Sequence, residues 1–177
     1  MSILIQNGTL FLPEGPVRAD LRVEGGRIAA IGPGLPAGDA QVLDASGKLV
    51  FPGFIDTHTH FEMNKGLPNE TADDWFTGSR AALAGGTTTV LDFAEPERGA
   101  SLASALETWH RRAGGAACCN YGFHMTIKDW DQRIRAELRD MTAAGVTSYK
   151  VYMAYDNLRL PDGVIYEVLQ AVAEEGG

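Results

Sequence analysis

The chain has 177 residues, enough for at least one substantial domain with its own core. Hydrophobic residues make up 45% of it and charged residues 21%, which is typical of a globular protein. The formal net charge of −8 argues against nucleic acid or an anionic membrane as a partner.

Targeting and redox features indicate a cytoplasmic protein. No apolar stretch approaches the ~20 residues of a membrane span, and residues 1–12 lack the basic start and apolar block of a signal peptide. Cys118 and Cys119 are adjacent. Because neighbouring strand residues point to opposite faces, we expect two reduced packing residues and no bond between them.

Residues 1–52 are predicted to form strands without a helix. Short apolar runs are separated by three turn-like sequences: Gln6-Asn7-Gly8, Gly25-Gly26 and Ser46-Gly47. A Gly-Gly pair between alternating runs predicts a two-residue hairpin. The other two sequences are interpreted as turns.

From Gly53 onward, strands alternate with helices. The strands are predicted at Phe54-Ile55, Thr87 to Phe93, Ala117 to Phe123 and Val146 to Met153. Apolar residues at helical spacing follow each strand, in sets that begin with Trp75, Leu102, Trp130 and Ile165 and include Leu169. Thr71 with Asp74 resembles a capping box before the first helix.

The strand-to-strand period of roughly 30 residues is that of a βαβ unit. A closed (β/α)₈ barrel has this period but needs eight units, and four are present. The pattern leaves two folds open: the first half of such a barrel, or a small flavodoxin-like sheet.

The sequence Asp56-Thr57-His58-Thr59-His60 ends the first strand of this second region. Residues two apart share a strand face, so Asp56, His58 and His60 point the same way. Two imidazoles at the carboxyl end of a strand suit one divalent metal ion. Two surface histidines near a strand end are the alternative.

Lys150 lies within the predicted fourth strand, where a buried lysine is costly unless it is paired or neutral. A neutral amine can add CO₂ to give a carbamate, whose two oxygens can bridge two metal ions. A lysine that reaches solvent at the strand end is the alternative.

These residues belong to runs that resemble the cyclic amidohydrolases, and specifically the hydantoinase and dihydropyrimidinase group. The resemblance covers essentially the whole chain. It lies in the runs Asp44 to His60, Thr71 to Gly78, Gly85 to Thr89, Asp92-Phe93, Tyr121 to His124 and Lys150 to Tyr155.

The resemblance implies hydrolysis of a cyclic amide or ureide, such as a hydantoin or dihydropyrimidine, at a centre of two divalent ions, zinc in our prediction. His58 and His60 would bind the more buried ion. Lys150 would carry the bridging carbamate derived from CO₂, and Tyr155 would bind the substrate and stabilise the tetrahedral intermediate. The resemblance also implies a homotetramer.

The family uses two further histidines, an aspartate and C-terminal strands for which 177 residues have no positions. We therefore expect residues 1–52 to be a segment of a composite β-sandwich and residues 53–177 to be the first four units of a TIM-type barrel. We expect the chain to be inactive alone.

Three other functions stay open: an allantoinase, a dihydroorotase-like hydrolase and a non-catalytic assembly protein related to dihydropyrimidinases. A dihydroorotase needs cations for its substrate carboxylate, and the loops offer little beyond Lys65 and Arg98. Retention of His58, His60 and Lys150 together argues against an assembly protein.

Several further residues are candidates for the surroundings of the site. His124 is interpreted as a packing or rim residue, with support of the metal ligands as the alternative, and His110 as an exposed residue near a helix end. Asp92 either supports the site or pairs with a strand-end amide. Family analogy predicts an apolar gate made of Met63, Leu67, Phe93 and Leu158.

Overall fold

A computed structural model describes residues 1–64 and 66–177 of the chain. The chain divides into two compact units, Met1–Gly53 and Phe54–Gly177. None of the helices within the described residues is long and apolar enough to cross a membrane.

The first unit is a five-stranded sheet. Its strands are β1 (Ser2–Leu12), β2 (Gly15–Glu24), β3 (Arg27–Gly32), β4 (Gln41–Asp44) and β5 (Leu49–Val50). The order is β3-β2-β1-β4, with β5 also paired to β1; β2 lies antiparallel to both its neighbours, and β4 and β5 lie parallel to β1. Residues 1–53 are all described and contain no helix, as predicted.

The predicted Gly-Gly hairpin joins β2 to β3. Gly25 and Gly26 have φ of 57° and 77°, and two consecutive residues of positive φ are what a type I′ turn requires. Ser46-Gly47 also forms the expected turn, closed by the bond from Lys48 N–H to Ala45 O.

The predicted turn at Gln6-Asn7-Gly8 is wrong, because β1 runs through it. The ladder with β2 instead shifts register between Ile5 and Gly8. Asn7 absorbs the shift with a φ of 65° and donates its N–H to Asp20 Oδ1 at 2.9 Å. Turn-forming residues here make a β-bulge, which uses the same backbone conformation.

The second unit alternates strands and helices. Its elements are β6 (Phe54–Thr59), α1 (Trp75–Ala84), β7 (Thr87–Ala94), α2 (Leu102–Ala113), β8 (Asn120–Thr126), α3 (Gln132–Ala143), β9 (Tyr149–Lys150) and α4 (Asp162–Glu174). The four strands are parallel and lie in chain order, β6-β7-β8-β9. A flavodoxin-like sheet reverses its strand order at a switch point, so the sequential order supports the half-barrel.

Two predicted strands differ from the observed ones. The third starts at Asn120, not at Ala117. The fourth shrinks to Tyr149–Lys150, because its ladder to β8 holds only Met125↔Tyr149 and Thr126↔Lys150. Lys150 is therefore the last residue of a short strand and half-buried, which corrects its predicted position in mid-strand.

The helices pack their apolar faces into the core of the second unit, with three local corrections. The capping box of α1 is formed by Asp74 with Thr77, and not by Thr71 with Asp74. Trp130 lies before α3. On α4, Val168 is buried, whereas Leu169 is 57% exposed and faces away from this core.

Both cysteines are free thiols. Cys119 packs against the core as predicted. Cys118 is exposed, so its predicted packing role is wrong. Its backbone N–H donates to Ser79 Oγ at 2.8 Å.

Candidate metal centre

His58 and His60 converge at the carboxyl end of β6. Their Nε2 atoms lie 3.3 Å apart, and their rings meet edge to face. His58 lies within the strand and His60 directly after it, so the strand period directs both side chains to one face. The neighbouring Asp56 carboxylate accepts the His58 backbone N–H at 3.0 Å.

Phe93 lies against both imidazoles and is only 6% exposed. Its ring centroid is 4.7 Å from that of His58 and 5.0 Å from that of His60, with the His60 ring stacked at 21°. The predicted gate role of Phe93 does not fit this position, because the ring supports the histidines from inside the unit.

Lys150 meets the same aromatic ring. Its Nζ lies 4.2 Å from the Phe93 centroid and 4.9 Å from that of Tyr152. No ion pair of Lys150 occurs within residues 1–64 and 66–177. Phe93 thus brings all three residues predicted as metal ligands to one surface, although they come from strands at opposite edges of the sheet.

Burial and the Lys150 charge both lower the pKa of His60, in that order of size, and the Asp92 carboxylate partly opposes them. A lowered pKa favours the neutral imidazole, which is the form that binds metal ions.

Tyr155 is not in contact with the histidines in this structure. Its side chain is 69% exposed, and its ring lies edge-on to Tyr152 with 6.1 Å between centroids. Its backbone has a φ of 68°, a left-handed conformation that is uncommon for a bulky residue. Tyr155 stands at the rim, in the loop between β9 and α4.

Arg98 fastens the Tyr155 loop. Its Nη2 and Nε donate to the Asn157 carbonyl at 2.9 and 3.3 Å, and its Nη1 donates to the Lys128 carbonyl and to Asp129 Oδ1, both at 2.9 Å. The Arg98 guanidinium thus forms its hydrogen bonds with groups of this chain. Lys65, the other candidate cation, lies outside the described residues.

His124 in β8 forms hydrogen bonds with residues of two other segments, which agrees with its interpretation as a packing or rim residue. Its Nε2 is 2.8 Å from the Thr57 carbonyl and its Nδ1 contacts Ser148 Oγ. His110 is exposed in the last turn of α2, with its ring against Phe123.

A half-buried polar cluster beside the site was missed by sequence reasoning. Glu95 joins the ends of three strands: its Oε2 lies 2.8 Å from Lys128 Nζ, and its Oε1 accepts the Tyr152 hydroxyl at 3.1 Å. Burial, followed by the Glu95 charge, raises the pKa of Tyr152 to about 12, so this phenol stays protonated. The available signal was that Tyr152 lies two residues after Lys150 and would share its face in the predicted strand from Val146 to Met153.

A cavity of about 220 Å³ opens beside His60. Two predicted gate residues, Met63 and Leu67, contribute to its wall, together with Trp109 and Lys128. Leu67 is 57% exposed, which suits a residue at the mouth of a pocket.

The donor set is partial. The described residues contain no group of three or more His, Cys, Asp or Glu side chains that could hold a metal ion. Two histidines and one lysine fit part of a metal site, since imidazole nitrogen is a preferred zinc ligand.

Comparison with known proteins gives a consistent assignment. The chain is 43% identical over 178 residues to a D-hydantoinase of Geobacillus stearothermophilus, covering 99% of this chain and 38% of the relative. It is 39% identical over 181 residues to a dihydropyrimidinase of Rattus norvegicus, covering 98% and 35%. The crystal structure of a dihydropyrimidinase from Brevibacillus agri superposes with a TM-score of 0.94 at 41% identity, covering 100% of this chain and 39% of that one.

The chain thus spans less than two fifths of the length of these curated relatives. A family model for the amidohydrolase family matches residues 49–176. That range includes every residue of the candidate metal centre, and the chain belongs to the amidohydrolase family.

Proposed function

We propose that this chain contributes the first part of a metal-dependent hydrolase that opens a ring amide in hydantoins or dihydropyrimidines. The observation that carries the proposal is the convergence of His58 and His60 Nε2 atoms, 3.3 Å apart at the carboxyl end of a parallel strand. Relatives named D-hydantoinase and dihydropyrimidinase support the substrate class.

The ligands in this proposal are His58 and His60 for one divalent ion and a carboxylated Lys150 for both ions, which we propose to be zinc. The chemistry of the donor set supports the fit. Burial, the largest influence on the pKa of His60, lowers it and favours the neutral imidazole, and the Lys150 amine faces the same Phe93 ring as both imidazoles.

A bound divalent ion would supply Lewis acidity and a nucleophile at neutral pH. The chain's own residues then have three tasks. Phe93 gives the site an apolar base, Tyr155 would donate its hydroxyl to the amide carbonyl oxygen as charge develops there, and Lys150, once carboxylated, would be an anionic ligand.

The proposal includes a larger protein around this chain. Met1–Gly53 would be a segment of a composite β-sandwich, and Phe54–Gly177 the first half of a barrel whose second half supplies the remaining ligands. We propose a cytoplasmic homotetramer that acts on a small cyclic substrate, and we expect the 177-residue chain to be inactive by itself.

The engagement of Arg98 removes one of the two candidate cations for the substrate carboxylate of a dihydroorotase. A site for a substrate carboxylate needs an available cation, and Arg98 donates to two carbonyls and to Asp129. Hydantoin, dihydrouracil and allantoin assayed in parallel separate the proposed activity from that of an allantoinase, and turnover of any of them excludes a non-catalytic assembly protein.

The metal assignment is tested by His58→Ala and His60→Ala in the complete gene product. Each variant loses one of two converging imidazoles, so we expect the metal content to fall and hydrolysis to be abolished. Metal analysis and the three-substrate assay measure this, and native mass spectrometry reports whether Lys150 carries CO₂.

His110→Ala is the matched control, because this histidine is exposed on α2 and contacts Phe123. Its metal content and activity should equal those of the wild type. Full metal occupancy and activity in both site variants would contradict the assignment of His58 and His60.

A further inference from the structure

Asp92 is a carboxylate buried among hydrogen-bond donors next to the candidate metal centre. It lies in β7 and is 2% exposed. One oxygen, Oδ2, accepts the Phe61 backbone N–H at 2.7 Å and lies 3.2 Å from Thr59 Oγ1, whose single hydroxyl hydrogen it shares with the Leu91 carbonyl at 3.1 Å. The other, Oδ1, accepts the Phe93 N–H at 2.7 Å and Trp109 Nε1–H at 3.3 Å.

The two donors to Oδ2 flank His60 in the chain. Thr59 ends β6 and Phe61 follows His60, so one carboxylate oxygen contacts the Thr59 hydroxyl on one side of His60 and the Phe61 backbone on the other. Beyond Thr59 the ladder between β6 and β7 has ended. The hydrogen bond from Phe61 to the Asp92 side chain therefore ties the chain to β7 at a position where backbone pairing between β6 and β7 has ended.

The donors to Oδ1 connect this point to the rest of the site. Phe93 carries the ring on which both histidines pack, and Trp109 belongs to α2. One side chain thus joins the His60 backbone, the aromatic support and a helix. Among the described candidate site residues, Asp92 alone contacts both neighbours of His60 and also bonds Phe93 and Trp109.

Burying the Asp92 carboxylate costs free energy of folding. Burial raises the pKa of Asp92 more than its hydrogen bonds lower it, and no cation pairs with it within the described part of the chain. An asparagine would cost less to bury, but its NH₂ group would face two donors. Both oxygens are needed as acceptors, and only the acid supplies two.

We propose that Asp92 is a positioning residue that holds His60 in the orientation required for metal binding. The inference rests on the proposed function for the identity of the bound group. The geometry, which is the contact of Asp92 with the residues on either side of His60, is observed independently of that function.

The test is Asp92→Asn in the complete gene product, with Trp109→Phe as the matched control. The asparagine cannot accept from both sides, so Thr59 and Phe61 or Phe93 and Trp109 lose their acceptor. The phenylalanine removes one donor from Oδ1 and leaves the bonds at His60 intact. Co(II) affinity, the visible spectrum of bound Co(II) and amide exchange at Phe61 in the metal-free protein are measured.

We expect Asp92→Asn to lower Co(II) affinity by roughly 10–100-fold, as loss of a ligand-orienting partner does. Its Co(II) spectrum should shift, and the Phe61 amide should exchange faster. Trp109→Phe should retain the wild-type affinity, spectrum and Phe61 exchange. Equal loss in both variants would indicate general destabilisation and would overturn the inference, as would wild-type behaviour of Asp92→Asn.

Thr59→Val is the substitute test if Asp92→Asn does not fold. It replaces one hydroxyl by a methyl group and keeps the size and branching of the side chain. It should weaken Co(II) binding relative to Trp109→Phe, and an equal affinity of the two would overturn the inference. A wild type that binds no metal would refute the proposed function, whereas Phe61 exchange would still decide the role of Asp92.

Discussion

At the scale of single residues, Tyr155 combines a left-handed backbone with an exposed phenol. Its φ of 68° places a bulky residue where glycine is usual. Strain of this kind costs on the order of 1–3 kcal/mol and is concentrated at functional sites. The conformation is therefore a reason, independent of the family resemblance, to test this hydroxyl.

Tyr155→Phe in the complete gene product keeps the ring and deletes only the proposed donor. We expect turnover to fall by about 10²–10³-fold, as for loss of one donor to a developing oxyanion, with metal content and unfolding free energy unchanged. Tyr166→Phe is the control, since Tyr166 is 63% exposed on α4. Near wild-type turnover of Tyr155→Phe would leave this residue as a rim aromatic.

The sequence predicted some residues of the site better than others for a physical reason. His58 and His60 converge because residues two apart in a strand share a face. Their spacing in the sequence is therefore enough to predict that the two side chains meet. Asp92 binds donors that lie 17 and 31 positions away in sequence, and only the fold brings them together. Phe93 was expected at a gate by family analogy, and its apolar side chain alone does not distinguish a gate residue from a buried support.

At the scale of elements, several candidate functional residues lie in the segments that follow the strands. The loop between β9 and α4 carries Tyr155 and is held at Asn157 by Arg98, which comes from the loop after β7. The loop closes on itself as well, since Leu158 and Arg159 donate their N–H groups to the Tyr155 carbonyl.

Arg98→Ala should release this loop while leaving the helices intact. We expect faster amide exchange in residues 156–159 and a fall in turnover of about tenfold to a hundredfold, because misplacement of a reacting group by about 1 Å has effects of this size. Arg111→Ala removes an exposed arginine of α2 paired with Glu107 and should change neither quantity. Unchanged exchange in Arg98→Ala would show that the loop holds its shape without the guanidinium.

Strand boundaries were less predictable than strand existence. The composition of residues 146–153 favours a strand throughout, but pairing partners exist only at Tyr149 and Lys150. β-structure requires a neighbour at each position, and a sequence window contains no information on the neighbour. The bulge at Asn7 has the same origin, because a bulge and a turn use the same residue types.

At the scale of the whole chain, the four-stranded sheet ends at β6 on one side and β9 on the other. Near the β6 edge, Phe54 and Ile55 are 56% and 63% exposed. Strand edges and apolar surface promote association between molecules.

We therefore expect the 177-residue chain, expressed alone, to associate and to be inactive on hydantoin. Light scattering coupled to size exclusion measures the first property and a hydantoin assay the second. A monodisperse monomer that hydrolyses hydantoin would refute both this expectation and the need for ligands from elsewhere.

The sequential order of β6, β7, β8 and β9 also has a consequence for biosynthesis. Each strand pairs with the strand made just before it, so its partner is already outside the ribosome when it emerges. Contacts of short sequence separation form quickly because little chain entropy is lost in closing them. The carboxyl end of the sheet, which carries the candidate metal centre, can thus assemble one unit at a time during translation, with His58 and His60 in place before Lys150 has been synthesised.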